Sequence, residues 1–258
     1  MKLRPTLLFL FAAGILMFVF RYEIMYALQK QRLSELQCLS REPKSIDLPL
    51  EPQPPCSKFW VHRVNSLQRL ERVINDFNGV ECDVVFDSSQ NKLFVYHPPA
   101  GADTTTLEHF LQRLSADNKY LWIDVKSFSD HHLSQLTAHL EALDHKYHFS
   151  SKAIIETSSV WLANYLAHKR FRVSFLVPAE LLNSGALPAD AVLPNESVQF
   201  VSQEDVYVNQ LKRMFPKKKL LVWSLSIQNF ASRTKLKQLA NDSAVFAILI
   251  NIKTRHYR

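Results

Sequence analysis

Eight apolar, strand-like runs alternating with amphipathic helical stretches predict an α/β fold, a TIM-type (β/α)8 barrel, preceded by an N-terminal transmembrane or signal-anchor segment. Two further observations point the same way. The chain has 258 residues with 47% hydrophobic content, enough for one large core plus an appendage. Its histidines, carboxylates and a lysine also collect at the ends of early strands, where a β/α barrel carries its reactive groups.

The first element is the N-terminal segment. Lys2 and Arg4 give a basic start, and the run from Pro5 to Phe20 carries no charge. This is a secretory-type pattern, and the lack of a small-x-small cleavage site ahead of Arg21 favours an uncleaved signal anchor over a removed signal peptide. Residues 1–22 are read as that anchor or transmembrane segment, 23–56 as a membrane-proximal helix and Pro-rich linker, and 57–258 as the barrel. The expected location is a membrane-anchored protein with its barrel exported to the periplasm or cell exterior, or a secreted one if the segment is cleaved. Cys38 and Cys56 flank the Pro-rich connector; they either pair across it in an oxidising compartment or stand as separate thiols. Cys82 is expected to pack outward beneath a helix.

The eight strand-like runs are 58–62, 80–86, 120–126, 153–156, 173–177, 198–202, 220–224 and 245–250. Helical patterns fall between them at 67–77, 106–114, 131–143, 160–168, 205–214 and 230–240. A further run, 92–96, follows the second strand after only Asp87-Ser88-Ser89-Gln90-Asn91. That turn is too short for a parallel crossover, so the extra strand returns antiparallel.

The formal charge of +7 is dispersed, with its clearest run at Lys217-Lys218-Lys219. A solvated turn explains that run better than a nucleic-acid groove, and no nucleic-acid partner is expected, although a basic surface suits anionic lipid or phosphate. The four glycines, Gly14, Gly79, Gly101 and Gly185, are scattered, which argues against a Gly-rich nucleotide-phosphate loop.

Four short motifs carry the chemistry: His62-Arg63-Val64-Asn65, Glu81-Cys82-Asp83, His97-Pro98-Pro99 and Asp124-Val125-Lys126. Alternate strand residues share a face, so Glu81 and Asp83 point together, as do Asp124 and Lys126. Three converging carboxylates repel one another unless a hard cation such as Mg²⁺ or Ca²⁺ holds them ionised. His62 and His97 titrate near neutrality in their unperturbed state and suit general acid/base work. Each residue also has a plainer job open to it. Asn65 could cap the following helix, Arg63 could turn to solvent, Lys126 could form an ion pair, and Trp223 could be ordinary core. Glu156 ends a strand and either reaches the barrel mouth or meets a structural partner.

The four motifs resemble the signature of the phospholipase-C-like phosphodiesterase superfamily, which includes the glycerophosphodiester phosphodiesterases. Within it, His62-Arg63-Val64-Asn65-Ser66, Glu81-Cys82-Asp83-Val84, His97-Pro98-Pro99 and Asp124-Val125-Lys126 look closest to the menorin family. Val222-Trp223-Ser224 resembles the late-strand tryptophan of the glycerophosphodiesterases. The resemblance implies metal-dependent cleavage of a glycerophosphodiester or phospholipid-type substrate, by hydrolysis or by a cyclising lyase route. It also implies roles: His62 and His97 as the acid/base pair; Glu81, Asp83 and Asp124 as ligands to one Mg²⁺ or Ca²⁺, with Asn65 adding a neutral oxygen; and Arg63, Lys126 and Trp223 on the substrate. The glycine and the downstream Glu-Asn-Thr of the glycerophosphodiesterase first motif are absent here, so glycerol specificity is not implied. The competing expectation is a menorin-like binding or interaction protein that keeps the barrel without turnover.

Overall fold

The computed structural model describes residues 5–35, 55–99, 104–115, 119–127, 129–184, 193–224 and 230–252. Along the chain the elements are α1 (Pro5–Glu35), β1 (Phe59–Val61), α2 (Leu67–Val73), β2 (Gly79–Asp87), β3 (Lys92–Val95), α3 (Leu107–Leu114), β4 (Tyr120–Ser127), α4 (Leu133–Tyr147), β5 (Ala153–Thr157), α5 (Val160–His168), β6 (Val173–Leu176), α6 (Ala179–Asn183), β7 (Phe200–Glu204), α7 (Val208–Met214), β8 (Lys219–Ser224), α8 (Phe230–Asn241) and β9 (Val245–Ile250). Strands and helices alternate as the hydrophobic pattern requires. The short α6 is an addition to the predicted set.

Among the described residues, eight of the nine strands pair in parallel in the order β1-β9-β8-β7-β6-β5-β4-β2, and a β1–β2 pairing closes the ring into a TIM-type barrel. The ninth, β3, runs antiparallel to the upper half of β2, with Val84 opposite Val95 and Asp87 opposite Lys92. The short Asp87–Asn91 turn admits no other direction.

Strand alternation divides the core into two layers. Inward positions form a cluster that includes Trp60, Trp122, Ile154, Phe200, Leu221 and Leu249. Outward positions such as Val61, Val80, Cys82 and Ile123 pack beneath the helices, so the free Cys82 is buried in the outer layer. Gly79 lies at the base of this arrangement because Trp60 needs the room: a Cβ at residue 79 would come within 2.4 Å of the indole. Helix starts are set by local chemistry. The Ser66 hydroxyl accepts from the Arg69 amide at 3.2 Å, and Thr106 and His109 form a reciprocal capping box that opens α3.

The N-terminal region differs from the expected anchor followed by a separate membrane-proximal helix. It is one continuous helix of 31 residues, α1. Among the described residues no helix is long and apolar enough to cross a membrane. The uncharged run Pro5–Phe20 has 16 residues, and at a rise of 1.5 Å per residue it spans about 24 Å, short of a hydrocarbon core about 30 Å thick. The transmembrane expectation therefore finds no support. Further along, α1 docks on the barrel. Tyr26 and Leu33 are buried, the Tyr26 hydroxyl donates to Asp76 at 2.5 Å, Lys30 pairs with Asp76 at 2.7 Å, and Glu23 pairs with Arg72. The Pro-rich connector and the Cys38–Cys56 pairing lie outside the described residues.

Candidate active site

The candidate centre stands at the carboxyl ends of β1, β2 and β4. Register explains its assembly: Asp83 of β2 lies opposite Asp124 of β4, and both strands point these residues inward. Glu81 sits two residues before Asp83 on the same face. Each of the three carboxylates offers an oxygen atom, and these atoms all lie within 4.8 Å of one another at buried positions.

Such crowding is unfavourable without positive charge. Burial, and then the negative charges of Asp83 and Asp124, push the Glu81 carboxyl well above the ordinary carboxylate range. Burial also raises Asp124, against the opposing pull of Lys126. Lys126 supplies part of the compensation by pairing with Asp124 and, at 2.9 Å, with Asp83. Burial disfavours the charge on Lys126, but Asp124 and Asp83 outweigh it and raise the ammonium above its ordinary range. One cation among three carboxylates leaves a deficit. Glu81 Oε1 is buried and has no hydrogen-bond partner among the described residues, which fits an oxygen left for a hard divalent ion.

The loop after β1 wraps this centre. Arg63 adopts a left-handed backbone, φ 57°, and its N–H donates to Glu81 Oε2 at 2.5 Å. A non-glycine residue held in that region costs about 1–2 kcal/mol, offset here by a hydrogen bond to the buried Glu81 carboxyl group. The Arg63 guanidinium reaches towards His97, with Nη2 3.4 Å from His97 Nε2. Asn65 is committed in both directions to Asp83: its amide nitrogen donates to Oδ2 at 2.6 Å, and its Oδ1 accepts from the Asp83 N–H at 2.9 Å. It braces that carboxylate. The capping job falls to Ser66.

His62 lies with Nε2 3.8 Å from Glu81 Oε2 and Nδ1 2.9 Å from the Asn251 side-chain oxygen. Burial lowers its imidazole to about 4, so the ring is neutral at physiological pH. His97 arrives from the hairpin that β3 forms with β2, where the Tyr96 N–H donates to the Asp83 carbonyl at 3.0 Å. Of the predicted site residues, His62, Arg63, Asn65, Glu81, Asp83, His97, Asp124 and Lys126 are linked by these contacts. Trp223 instead packs against the interior cluster from β8, opposite Glu204 and Leu249.

Two contributors escaped the motif reading. Asn251 follows β9 and continues the inward alternation of Ala247 and Leu249, so an inward polar residue just past the last strand was the available signal. Arg69, fully buried on α2, donates to the carbonyls of His62 and Ile252, each at 3.0 Å, and so ties the first strand end to the last. A buried arginine on a short helix gives no such signal in sequence. Glu156 is buried beside this centre on β5, opposite Asp124, with its carboxyl raised by burial and by the Asp124 charge.

The barrel was compared with known proteins. It shares its fold with glycerophosphodiester phosphodiesterases. The glycerophosphodiester phosphodiesterase of Parabacteroides distasonis superposes with a TM-score of 0.56 at 16% identity, over 76% of this chain and 93% of that one. The Agrobacterium tumefaciens glycerophosphodiester phosphodiesterase gives 0.54 at 14% identity, over 75% and 96%. An Oleispira antarctica phosphodiesterase, solved with its product sn-glycerol-3-phosphate, gives 0.54 at 12% identity, over 76% and 93%. At these identities the likeness to the glycerophosphodiester phosphodiesterases is one of fold. No protein-family model and no curated protein sequence matches the chain.

Proposed function

We propose that this chain is a metal-dependent phosphodiesterase that cleaves a glycerophosphodiester or phospholipid-type substrate. The observation that carries the proposal is the buried triad Glu81, Asp83 and Asp124 at the barrel mouth, contacted by His62 and linked through Arg63 to His97. Glycerophosphodiester phosphodiesterases share the fold, and one of the similar structures holds sn-glycerol-3-phosphate, which fits a phosphodiester substrate here.

Glu81, Asp83 and Asp124 hold one Mg²⁺ or Ca²⁺, with Asn65 fixing the Asp83 carboxylate. Once bound, the ion supplies positive charge against the phosphate oxygens. Lys126 and Arg63 add donors for the remaining charge on the phosphate. Asn251 accepts at His62 Nδ1, which leaves Nε2 as the lone-pair nitrogen, so His62 takes the proton of the attacking hydroxyl and His97 returns one to the leaving oxygen. Attack by water gives a hydrolase product. Attack by a neighbouring substrate hydroxyl breaks the same P–O bond and gives a cyclic phosphate. The chain is membrane-associated through its N-terminal segment, with the barrel exported.

The test uses the full chain stripped of metal and resupplied with Mg²⁺ or Ca²⁺. Release from glycerophosphocholine, lysophosphatidylcholine and sphingomyelin is followed beside His62→Ala and His97→Ala. Metal-dependent turnover that falls by about 10²–10⁴ in each variant supports the reading. A chain that neither binds metal nor turns over any of these diesters refutes it in favour of a binding protein.

A further inference from the structure

The same helix that carries the apolar N-terminal run is docked on the catalytic barrel. Ile15, Leu16, Met17, Phe18, Val19 and Phe20 are each about half to two-thirds exposed, 49–66%. Six consecutive helical residues turn through about 500°, so this stretch is apolar on every side. A protein partner covers one face of a helix; an apolar environment on all sides is what a bilayer offers. The polar boundary suits that occupant. Arg21 stacks on Phe18 and Tyr22, with its charge at the end of the apolar run, and the chain carries a net charge of +7 that favours an anionic surface.

Beyond that boundary α1 does not swing free. Glu23, Tyr26 and Lys30 clamp it to Arg72 and Asp76, and Leu33 is buried in the outer core. Gln29, on the same side, places its amide nitrogen 3.5 Å from the carbonyl oxygen of Asn251, the residue that holds His62 Nδ1. From Phe20 to Gln29 the helix rises only about 14 Å. One helix and one residue therefore separate the exposed apolar turns from the candidate base.

We propose that α1 is a rigid mount that seats Ile15–Phe20 in the apolar layer of a bilayer and holds the barrel mouth at its surface, so that the substrate is a lipid phosphodiester of that same surface. The substrate statement rests on the phosphodiesterase reading; the mount does not.

The experiment uses the full chain and vesicles of phosphatidylcholine with a minor share of phosphatidylglycerol, half of the preparations carrying a headgroup quencher. With Cys38 and Cys56 replaced by Ser, a fluorophore is placed either at Ser89→Cys, in the hairpin turn on the mouth side, or at Ser243→Cys, on the opposite side. The mount predicts several-fold stronger quenching at residue 89 than at residue 243, and loss of that contrast in Tyr26→Ala/Asp76→Ala with flotation retained. Equal quenching at the two positions in the unaltered mount overturns it. Leu16→Asp/Phe18→Asp should abolish flotation; a variant that still floats overturns the seating of Ile15–Phe20. So does an oligomer in buffer that these two substitutions disperse, because a second copy then covers the helix. For the substrate, the clamp variant should lose at least tenfold on vesicle-borne lysophosphatidylcholine while staying within twofold on soluble glycerophosphocholine. Equal retention on both overturns the lipid assignment. Absence of turnover on either diester counts against the phosphodiesterase, and the quenching contrast still decides the mount.

Discussion

Asn251 shows how much of a site depends on a residue outside any motif. Its side-chain oxygen fixes the His62 ring at 2.9 Å, and removing it frees the imidazole to rotate and to exchange tautomers. Asn251→Ala should lower kcat about tenfold, the equivalent of one hydrogen bond of roughly 1–1.5 kcal/mol, with little change in thermal midpoint; Asn251→Asp, which keeps an acceptor, should recover part of the loss. Lys126 sits differently, because it neutralises Asp83 and Asp124 directly. Lys126→Met should destabilise the metal-free chain by about 3 kcal/mol in denaturant melts, since it leaves buried carboxylates without their counter-charge, and added Mg²⁺ or Ca²⁺ should restore part of that stability. At this scale the sequence was legible where alternation applied. Glu81, Asp83 and Asp124 converge because strands have a period of two. Arg63 was not legible in that way, since its left-handed φ of 57° departs from the strand geometry that alternation assumes.

Elements were legible where periodicity was strong. The fourth helical run, 160–168, and the last strand, 245–250, coincide with α5 and β9. The sixth of the eight parallel strands was placed at 198–202 and is found as Phe200–Glu204, a shift of two residues. The apolar Val198 lies in the turn before it, where a buried valine reads locally like a strand start. The long α1 was divided into two segments for a physical reason. Its apolar first half and polar second half suggest two segments, yet the polar half presents Tyr26, Gln29 and Leu33 at i, i+3 and i+7, the face that docks. Close packing gives a sharper test between β1 and β2. Gly79→Ala would drive a methyl into the Trp60 indole, so it should cost about 1–3 kcal/mol in denaturant melts, and pairing it with Trp60→Leu should return part of that loss.

Across the whole molecule the buried charges make stability and metal binding one question. Glu81, Asp124 and Glu156 have folded values raised by burial above their unfolded values near 4. The metal-free folded state therefore holds more protons than the unfolded chain above that pH, and stability falls as pH rises. His62 acts in the opposite direction, since its folded value of about 4 lies below the unfolded 6.5, but its contribution is complete above pH 6.5. The carboxyls should therefore pull the metal-free melting temperature down as pH rises from about 4, opposed by His62 only up to 6.5, and saturating Mg²⁺ or Ca²⁺ should raise it by roughly 5 °C, most at the higher pH. Calorimetry with and without chelator checks the sign. The β1–β2 closure gives this coupling a place in the ring. Among the described residues, β1 and β2 pair only at Trp60 with Gly79 and Val61 with Val80, and above them the His62–Asn65 loop crosses to Glu81 and Asp83. A cylinder fastened so briefly at one seam should breathe there first. Whatever ion the carboxylates take would act as the clasp, and slower amide exchange at Val64 and Asp83 on adding metal would reveal a barrel that is fully shut only when it is ready to work.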